Sequence, residues 1–374
     1  MKVLYLNAGN ETGGGMHHIL YLLKKMKQND TATFMLGVME KKELYERATS
    51  LGIDTVHFES DTRFSFSLLQ KLAHFINEHE ITHVHSHGPR ANVYMNLLRK
   101  KHQANWIVTV HSDPYVDFKE KGIRGKLLTL LHVNAIKNAD KVISVSETFH
   151  PPLLDAGLGK SQLTTIHNGI DFSTEISEEW TFQSPREEFG FNQDDFLFVK
   201  VARLEAVKGH HIAIKALATC IERHRRDNIH LLLVGDGTLK EALQSYARQL
   251  NVEKNVHFLG ERKDVFTFYE MADVTLLTSL SESFPYVLLE SARAKKPVIT
   301  ANVGDINHLV KKDLSGWKVK AGDVAGFAFA MEEAVWYRER GMLRNIGDNL
   351  FIHASDNFSL DKCVDEVYNV YRTM

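Results

Sequence analysis

Two glutamates separated by seven residues stand out among the side chains whose spacing could do chemistry. Glu282 follows an apolar run, Val274–Leu277, which is typical of a buried strand. Glu290 lies inside a predicted helix with Pro285 near its first position, where proline is favoured. A carboxylate can accept hydrogen bonds from both hydroxyls of a vicinal diol. The pair is therefore suited to bind a ribose and a second sugar.

The start of that helix should add backbone donors to the two carboxylates. The first N–H groups of a helix have no partner within it. The N–H groups of Tyr286, Val287 and Leu288 are therefore predicted to bind an anion. Phe284, just before the helix, completes the predicted binding residues of this segment.

Two cations follow another predicted strand, Phe196–Ala202. Arg203 and Lys208 lie just beyond its carboxyl end, where open α/β sheets bind their ligands. Arginine offers a planar fork to phosphate oxygens and lysine a compact charge. The pair predicts a phosphate site, and two solvated surface charges are the alternative interpretation.

A run of three glycines, Gly13, Gly14 and Gly15, follows the first predicted strand and opens a helix. Glycines let backbone N–H groups approach a phosphate, and the helix start adds partial positive charge. The spacing matches neither the dinucleotide fingerprint nor a P-loop. An ordinary tight turn is the other interpretation.

Three histidines alternate at the end of a strand predicted over Ile81–His85. His83, His85 and His87 should share one face of the strand. Such spacing can bind zinc. Because neither a carboxylate nor a cysteine is evidently paired with them, no metal site is predicted.

Strands and helices alternate along the whole chain, which predicts βαβ units and parallel sheets. The rhythm breaks over residues 176–195, an acidic stretch that we interpret as a linker. The expected organisation is an N-terminal domain over 1–175 completed by a C-terminal helix within 356–374, the linker, and a C-terminal domain over 196–355. The fold class is α/β, with two doubly wound, Rossmann-like domains facing a cleft that is the default ligand site.

Composition excludes several classes of protein. The 374 residues contain 45 basic and 47 acidic side chains, a net charge of −2, which argues against a nucleic-acid binder. Two cysteines exclude a disulfide scaffold and indicate reduced thiols. No apolar run is long enough for a transmembrane helix, and the start is too short and too polar for a secretory signal. A cytoplasmic protein is expected.

Charge is distributed unevenly, since residues 1–170 hold 20 basic and 16 acidic side chains and residues 171–374 hold 25 and 31. The first part, with a net charge of +4, could face an anionic partner. Within it, residues 119–131 are basic and then apolar, as in segments that lie on anionic membranes. A peripheral contact with the inner face of the plasma membrane is one interpretation. An ordinary loop followed by a packed helix is the other.

Seven segments, taken in order, resemble the retaining glycosyltransferases of family 4, which have the GT-B architecture. They are Gly13-Gly14-Gly15, Thr109-Val110-His111, residues 139–146, residues 167–171, Arg203 with Lys208-Gly209, Gly235-Asp236-Gly237, and Glu282 with Glu290. The resemblance covers nearly the whole chain.

The resemblance implies a role for each predicted residue. Arg203 and Lys208 would hold the donor diphosphate, and the amides of Gly14 and Gly15 would meet its distal phosphate. Glu290 would bind the ribose hydroxyls and Glu282 the hydroxyls of the transferred sugar. His111 would contact that sugar near the reaction centre. No metal ion or other cofactor is implied.

The implied function is transfer of a hexosyl group, with retention, from a nucleotide-diphosphate sugar to a glycan or glycolipid acceptor. A UDP-sugar is the first choice of donor, and synthesis of cell-surface polysaccharide or glycoconjugate is the expected setting. A sugar-nucleotide epimerase of the same architecture and a non-catalytic sugar-nucleotide binder are the alternatives. Ser283 and Tyr286 depart from glycines usual in the family, which leaves the identity of the sugar open.

Overall fold

The chain forms two units, each built on one parallel β-sheet. The computed structural model describes residues 1–28, 32–60, 62, 64–118, 122–173, 185–224, 226–311 and 314–374. The first unit comprises Met1–Gly169 with Leu360–Met374, and the second comprises Ile170–Ser359. The parallel-sheet α/β fold predicted from the alternation of strands and helices is confirmed.

The first unit contains a seven-stranded sheet with the strand order β3-β2-β1-β4-β5-β6-β7. Its strands are β1 (Lys2–Asn7), β2 (Thr33–Val38), β3 (Thr55–His57), β4 (His83–His87), β5 (Asn105–Val110), β6 (Lys141–Ser144) and β7 (Leu163–Thr165). Its helices are α1 (Gly14–Met26), α2 (Glu43–Ser50), α3 (Phe66–Glu78), α4 (Pro89–Leu98), α5 (Gly122–Lys137), α6 (His150–Asp155) and, from the end of the chain, α15 (Leu360–Arg372).

Both faces of this sheet are covered, as parallel sheets require. Alternate residues of β1 point to opposite sides. Val3 and Tyr5 pack in a core with α1, α2 and α15, whereas Leu4 and Leu6 pack in a second core with α3 and α4. Every one of these four side chains is fully buried.

The second unit contains a six-stranded sheet with the order β10-β9-β8-β11-β12-β13. Its strands are β8 (Phe196–Val201), β9 (Ile229–Val234), β10 (Val256–Gly260), β11 (Val274–Leu277), β12 (Val298–Ala301) and β13 (Gly316–Val319). Its helices are α7 (Pro185–Glu188), α8 (His210–His224), α9 (Lys240–Gln249), α10 (Val265–Met271), α11 (Tyr286–Arg293), α12 (Ile306–Leu309), α13 (Val324–Glu339) and α14 (Leu343–Asn357).

The predicted acidic linker lies partly outside the described residues, since 176–184 are not among them. Residues 185–195 belong to the second unit. Arg186, in α7, forms an ion pair with Asp273 at 2.9 Å, and Phe191 is buried beneath the sheet. The second unit therefore includes sequence that carries no strand or helix periodicity of its own.

Strand β4 runs two residues further along the chain than its predicted range, Ile81–His85. It extends to His87 because its polar side chains are buried and bonded rather than solvated. His83, His85 and His87 are all buried. His85 and His87 have their rings 4.4 Å apart, and His83 lies 5.6 Å from the ring of Tyr371, which His85 also contacts.

A hydrogen-bonded chain connects β4 to α15 and fixes the protonation of His85. The Tyr371 hydroxyl donates to the Tyr5 hydroxyl at 2.8 Å, and Tyr5 donates to the sulfur of Met26. The Tyr371 oxygen must then accept from Nδ1–H of His85, at 2.6 Å. The other ring nitrogen, Nε2, shares a hydrogen bond of 2.6 Å with the Thr109 hydroxyl. The direction of the chain thus assigns a proton to Nδ1 of His85.

The neighbouring buried rings are also held in the neutral form. Burial lowers the pKa of His18 to about 4. Burial, reinforced by the charges of the adjacent histidines, holds the pKa of His85, His87 and His111 well below the ordinary value. Desolvation penalises the imidazolium, and each ring that ionised would repel the next.

We predict that the first unit loses stability on acidification. In the unfolded chain these histidines titrate near pH 6.5. Below that value the unfolded state therefore binds protons that the folded state does not bind. The stabilisation is complete above pH 6.5 and falls by up to about 1.4 kcal/mol per pH unit for each ring as the pH drops. Denaturant titrations from pH 7.5 to 5.5 measure this slope.

Two matched variants test whether burial of the histidines causes the pH dependence of the unfolding free energy. His132 is buried, with a pKa of about 4, whereas the side chain of His74 is 77% exposed. H132N should make the pH dependence of the unfolding free energy shallower, and H74N should leave it unchanged. Equal slopes in the two variants would contradict the assignment.

Candidate functional site

The strand order of each sheet reverses at one place, and several of the predicted residues follow the strands that meet there. In the second sheet β8 and β11 are neighbours. From β8 the chain continues to β9 on one side, and from β11 it continues to β12 on the other side. Such a switch point leaves a crevice at the carboxyl ends of the strands. The residues after β8 include Arg203 and Lys208, and the residues after β11 include Glu282.

Lys208 and Glu282 meet at this edge. The ammonium of Lys208 donates to a carboxylate oxygen of Glu282 at 2.7 Å. The side chains are 23% and 12% exposed, so the pair is shielded from solvent without being sealed from it. The structure thus brings together a predicted phosphate-binding cation and a predicted sugar-binding carboxylate.

Backbone contacts hold the two loops in this position. Gly209 has φ of +62°, and a Cβ at this position would lie 2.1 Å from the carbonyl oxygen of Thr278. The Thr278 hydroxyl donates to the Gly209 carbonyl at 2.8 Å, and the N–H of Leu280 donates to the Val207 carbonyl at 2.8 Å. The family motif signals the glycine, but Thr278 carries no sequence signal of its own.

A second glycine, Gly304, lets the loop after β12 pack closely against the backbone of Glu282. Gly304 has φ of +58°, and a Cβ there would lie 2.4 Å from the carbonyl oxygen of Glu282. The N–H of Asp305 donates to the Ser283 carbonyl at 3.0 Å. The Glu282 loop is therefore fixed on two sides by close backbone packing.

Arg203 is placed differently from Lys208. Its side chain is 69% exposed, and its guanidinium lies 3.9 Å from the carboxylate of Glu205. Exposed pairs at such distances contribute little to stability. The guanidinium is therefore available to an incoming anion at low energetic cost.

Glu290 has a partner that the sequence did not indicate. The hydroxyl of Tyr269, in α10, donates to a carboxylate oxygen of Glu290 at 2.9 Å. Burial raises the pKa of Glu290, an effect that this hydrogen bond opposes. Tyr269 itself is 1% exposed. No motif accompanies Tyr269, so only the fold identifies it.

Two of the predicted binding residues, Phe284 and Leu288, have buried side chains. Phe284 is 1% exposed, with its ring 4.8 Å from that of Phe358, so its side chain is part of the packed interior. The Leu288 side chain is fully buried, and its N–H already donates to the Pro285 carbonyl at 3.2 Å. The helix start tightens into a three-residue turn, which uses one of the amides expected to bind an anion.

The glycine loop of the first unit contains a carboxylate that sequence reasoning missed. Gly14 and Gly15 open α1 after Gly13, which has φ of +63°. The carboxylate of Glu11 lies beside Gly15, and a Cβ there would come within 2.6 Å of it. Burial raises the pKa of Glu11. A negative group is favoured at a helix start, so any phosphate meeting these amides competes with Glu11.

The first sheet has its own crevice where the order reverses between β1 and β4. A cavity of about 450 Å³ opens there, lined by both polar and apolar side chains. The polar lining includes Asn7 and Glu11, and the apolar lining includes Phe118, Leu128 and Leu131. His87 lines this cavity as well, and its Nδ1 shares a hydrogen bond of 3.0 Å with Nε2 of His111.

Two family models together match most of the chain. The model described as "Glycosyltransferase Family 4" matches residues 12–174, and "Glycosyl transferases group 1" matches residues 182–349. Each match coincides closely with one of the two parallel-sheet units.

The similarity extends to curated relatives. A "UDP-Gal:alpha-D-GlcNAc-diphosphoundecaprenol alpha-1,3-galactosyltransferase" of Escherichia coli is 24% identical over 302 residues, 78% of this chain and 75% of that protein. The "N-acetyl-alpha-D-glucosaminyl L-malate synthase" of Bacillus anthracis is 24% identical over 312 residues, covering 82% and 79%.

A solved structure shares the fold. The Anabaena protein HepE, determined in complex with UDP, superposes with a TM-score of 0.85 over the full length of both chains, at 21% identity. At this identity the likeness shows the fold, which is that of the GT-B glycosyltransferases.

We predict that the backbone packing at Gly209 is required for the site. G209A should lower the free energy of unfolding by more than the roughly 1–2 kcal/mol that a left-handed alanine costs, because its Cβ also meets the Thr278 carbonyl. Gly341 is the control, since it has φ of +68° and open space around a Cβ. Denaturant unfolding of both variants checks the difference, and equal losses would contradict it.

Proposed function

We propose a function from the premise that this chain belongs to glycosyltransferase family 4. The enzyme is a glycosyltransferase. We infer that it transfers a hexosyl group, with retention of anomeric configuration, from a UDP-sugar to a glycan or glycolipid acceptor. Synthesis of cell-surface polysaccharide or glycoconjugate is the proposed setting.

The Lys208–Glu282 ion pair carries the proposal. An incoming diphosphate would draw the ammonium of Lys208 onto its oxygens, through a charge-assisted bond of about 1.5–3 kcal/mol. Glu282, released from that contact, could accept hydroxyl protons of the transferred sugar. Phosphate and sugar would then meet a cation and a carboxylate that start 2.7 Å apart.

The remaining groups of the second unit suit the other parts of a donor. The exposed guanidinium of Arg203 would join Lys208 on the diphosphate. Glu290 would bind the ribose hydroxyls with one oxygen while the other stays bonded to Tyr269. As the nucleoside diphosphate departs it gains negative charge, which fixed cations stabilise most strongly.

The first unit would contribute three predicted groups. The amides of Gly14 and Gly15 would meet the distal phosphate once Glu11 yields its place at the helix start. His111 would donate to or accept from the sugar as a neutral imidazole, since its pKa is held low. Its orientation is set by the hydrogen bond that it shares with His87.

Two observations support the choice of donor and acceptor. The name of the E. coli relative describes a UDP-sugar donor, and the Anabaena protein was determined in complex with UDP. The cavity of the first unit is lined by both polar and apolar side chains, which suits a hydroxyl-bearing head group on an apolar carrier. The same E. coli name describes a lipid-linked acceptor.

The activity is tested with a panel of UDP-hexoses and octyl glycosides as acceptors. We expect UDP release that depends on the acceptor, and an NMR spectrum of the product that shows the donor's anomeric configuration. A changed sugar nucleotide formed without acceptor would indicate an epimerase. Donor binding without any product would indicate a non-catalytic binder.

In the same assay, the two glutamates should fail differently. E282Q should mainly lower kcat, since its proposed partner is the reacting sugar, and E290Q should mainly raise KM for the donor. Losing a hydrogen bond to a charged group, about 1.5–3 kcal/mol, corresponds to roughly 10- to 100-fold in each parameter. E253Q, at an exposed glutamate, is the control. Kinetic constants near wild type in both variants would remove this assignment.

We also propose that α5 rests on a membrane surface. Ile123, Leu127 and Leu130 are 88%, 59% and 65% exposed on this helix, and they recur at four- and three-residue spacing. Arg124 and Lys126 are exposed beside them. An apolar stripe flanked by cations is typical of helices that lie on anionic lipid. Residues 119–121 of the predicted segment lie outside the described residues.

No helix among the described residues has the length and apolar character needed to cross a bilayer. The contact that we propose is therefore made by a helix lying at the surface.

The proposed contact predicts vesicle binding that depends on charge. The protein should cosediment with vesicles containing phosphatidylglycerol and much less with phosphatidylcholine alone. L127D/L130D should weaken binding at least tenfold, because both side chains would enter the lipid interface. F329D, at a residue 58% exposed on the second unit, should bind like wild type. Loss of binding in both variants, or in neither, would contradict the proposal.

A further inference from the structure

A lysine is buried in the middle of the second sheet, and its ammonium has no hydrogen-bond partner among the residues that the structure describes. Lys200 lies on β8, three residues before Arg203, and is 0% exposed. Its backbone pairs in register with Leu233 of β9. Among the described residues, no hydrogen-bond partner reaches its Nζ. A buried lysine is ordinarily paired, because an isolated ammonium in the interior is costly.

The groups around Lys200 belong to the proposed donor site. Glu282 attracts the Lys200 ammonium, whereas Lys208 repels it. His210, at the start of α8, is repelled in turn by both lysines and by His211. Within the part of the chain that the structure describes, the ring nitrogens of His210 and the hydroxyl of Ser279 are also buried without partners. Lys200, Lys208, Glu282 and His210 thus form a group of mutually interacting ionisable side chains at the proposed donor site.

Donor binding would disturb the balance of charge in this group. In the free protein Glu282 is neutralised by Lys208 at 2.7 Å. If Lys208 turns to the phosphates, as the proposed function requires, Glu282 loses that partner in a poorly solvated place. Lys200, on the strand β8, also interacts electrostatically with Glu282.

We propose that Lys200 is a positioning residue of the donor site, a reserve cation that balances Glu282 when Lys208 engages the diphosphate. It acts through Glu282 and touches neither the phosphate nor the sugar. The inference rests on the proposed function, because it presupposes that a diphosphate displaces the Lys208–Glu282 contact.

In the free protein the amine of Lys200 is only partly protonated near neutral pH. Burial lowers the pKa of Lys200 to about 7, with Glu282 opposing the shift and Lys208 adding to it. Above that pH Lys200 is mostly neutral. The negative charge of the ligand, together with the loss of Lys208 from Glu282, would raise the pKa of Lys200 and draw a proton onto it. His210 does not interfere, because its pKa is held far below neutral.

The experiment is calorimetry of UDP binding at pH 7.5 and 8.5, in buffers with different ionisation enthalpies. Both values lie above the second pKa of a terminal phosphate, about 6. Wild type should take up close to one proton per UDP at pH 8.5, and its Kd should rise up to tenfold between the two pH values. K200M should bind UDP more weakly at pH 7.5, without proton uptake and with a Kd that is nearly independent of pH.

Stability separates this role from a structural one. Methionine is close to lysine in size and leaves no buried charge, so K200M should have a Tm equal to or above that of wild type. A variant that is at least as stable yet binds UDP more weakly marks a residue kept for function.

The control is Lys296, a half-buried lysine of the same unit whose pKa is also lowered by desolvation. It lies at the opposite edge, just before β12, and its ammonium donates to the Glu270 carbonyl at 2.7 Å. K296M should retain the proton uptake and the pH dependence of wild type.

Each outcome decides a different claim. UDP binding by wild type without proton uptake, or with uptake that K200M retains, overturns the role of Lys200 and leaves the proposed function standing. The first of these measurements needs no variant to fold. If wild type binds no UDP, both claims fail.

Discussion

Parallel pairing of β8 and β11 is the constraint on which the proposed donor site depends. Neighbouring parallel strands end at the same edge, and here the chain leaves them in opposite directions. Lys208 and Glu282, 74 residues apart, are thereby placed on adjoining loops. Glycines with positive φ at 209 and 304 let these loops pack closely enough for the ion pair to form. The chemistry is local, but its geometry comes from strand order.

Both sheets carry buried ionisable side chains, and the two interiors treat them differently. In the first unit the histidines share hydrogen bonds with one another and with tyrosine and threonine hydroxyls, and they remain neutral. In the second unit the ammonium of Lys200 has no hydrogen-bond partner among the described residues, and its pKa is lowered to about 7. A hydrogen-bonded side chain is held in place by its partners, whereas a buried group without one can respond to a nearby ligand.

Much of this arrangement could be predicted from the sequence, because strand and helix periodicity and the seven ordered motifs report on local structure. They gave the parallel sheets and the family, and they identified Lys208 and Glu282. Contacts between distant segments could not be read in this way. Tyr269 reaches Glu290 from a helix that carries no motif, and Glu11 occupies a helix start that looked open. The contact that buries the ring of Phe284 comes from Phe358, which the local pattern does not show, and the binding role of Phe284 and Leu288 stays a prediction.

The hydrogen bond from Tyr371 to Tyr5 joins the two ends of the chain, so it can form only after the second unit has been synthesised. One face of the first sheet is covered by α15, which follows the whole second unit in the chain. A ribosome adding roughly 5–20 residues per second needs on the order of ten to forty seconds to synthesise the intervening 170–359. During that interval Tyr5 and His85 lack the Tyr371 hydroxyl, and the part of this apolar core that α15 supplies is missing. The first unit is therefore synthesised first but completes its fold last. Chaperones can bind it throughout this interval.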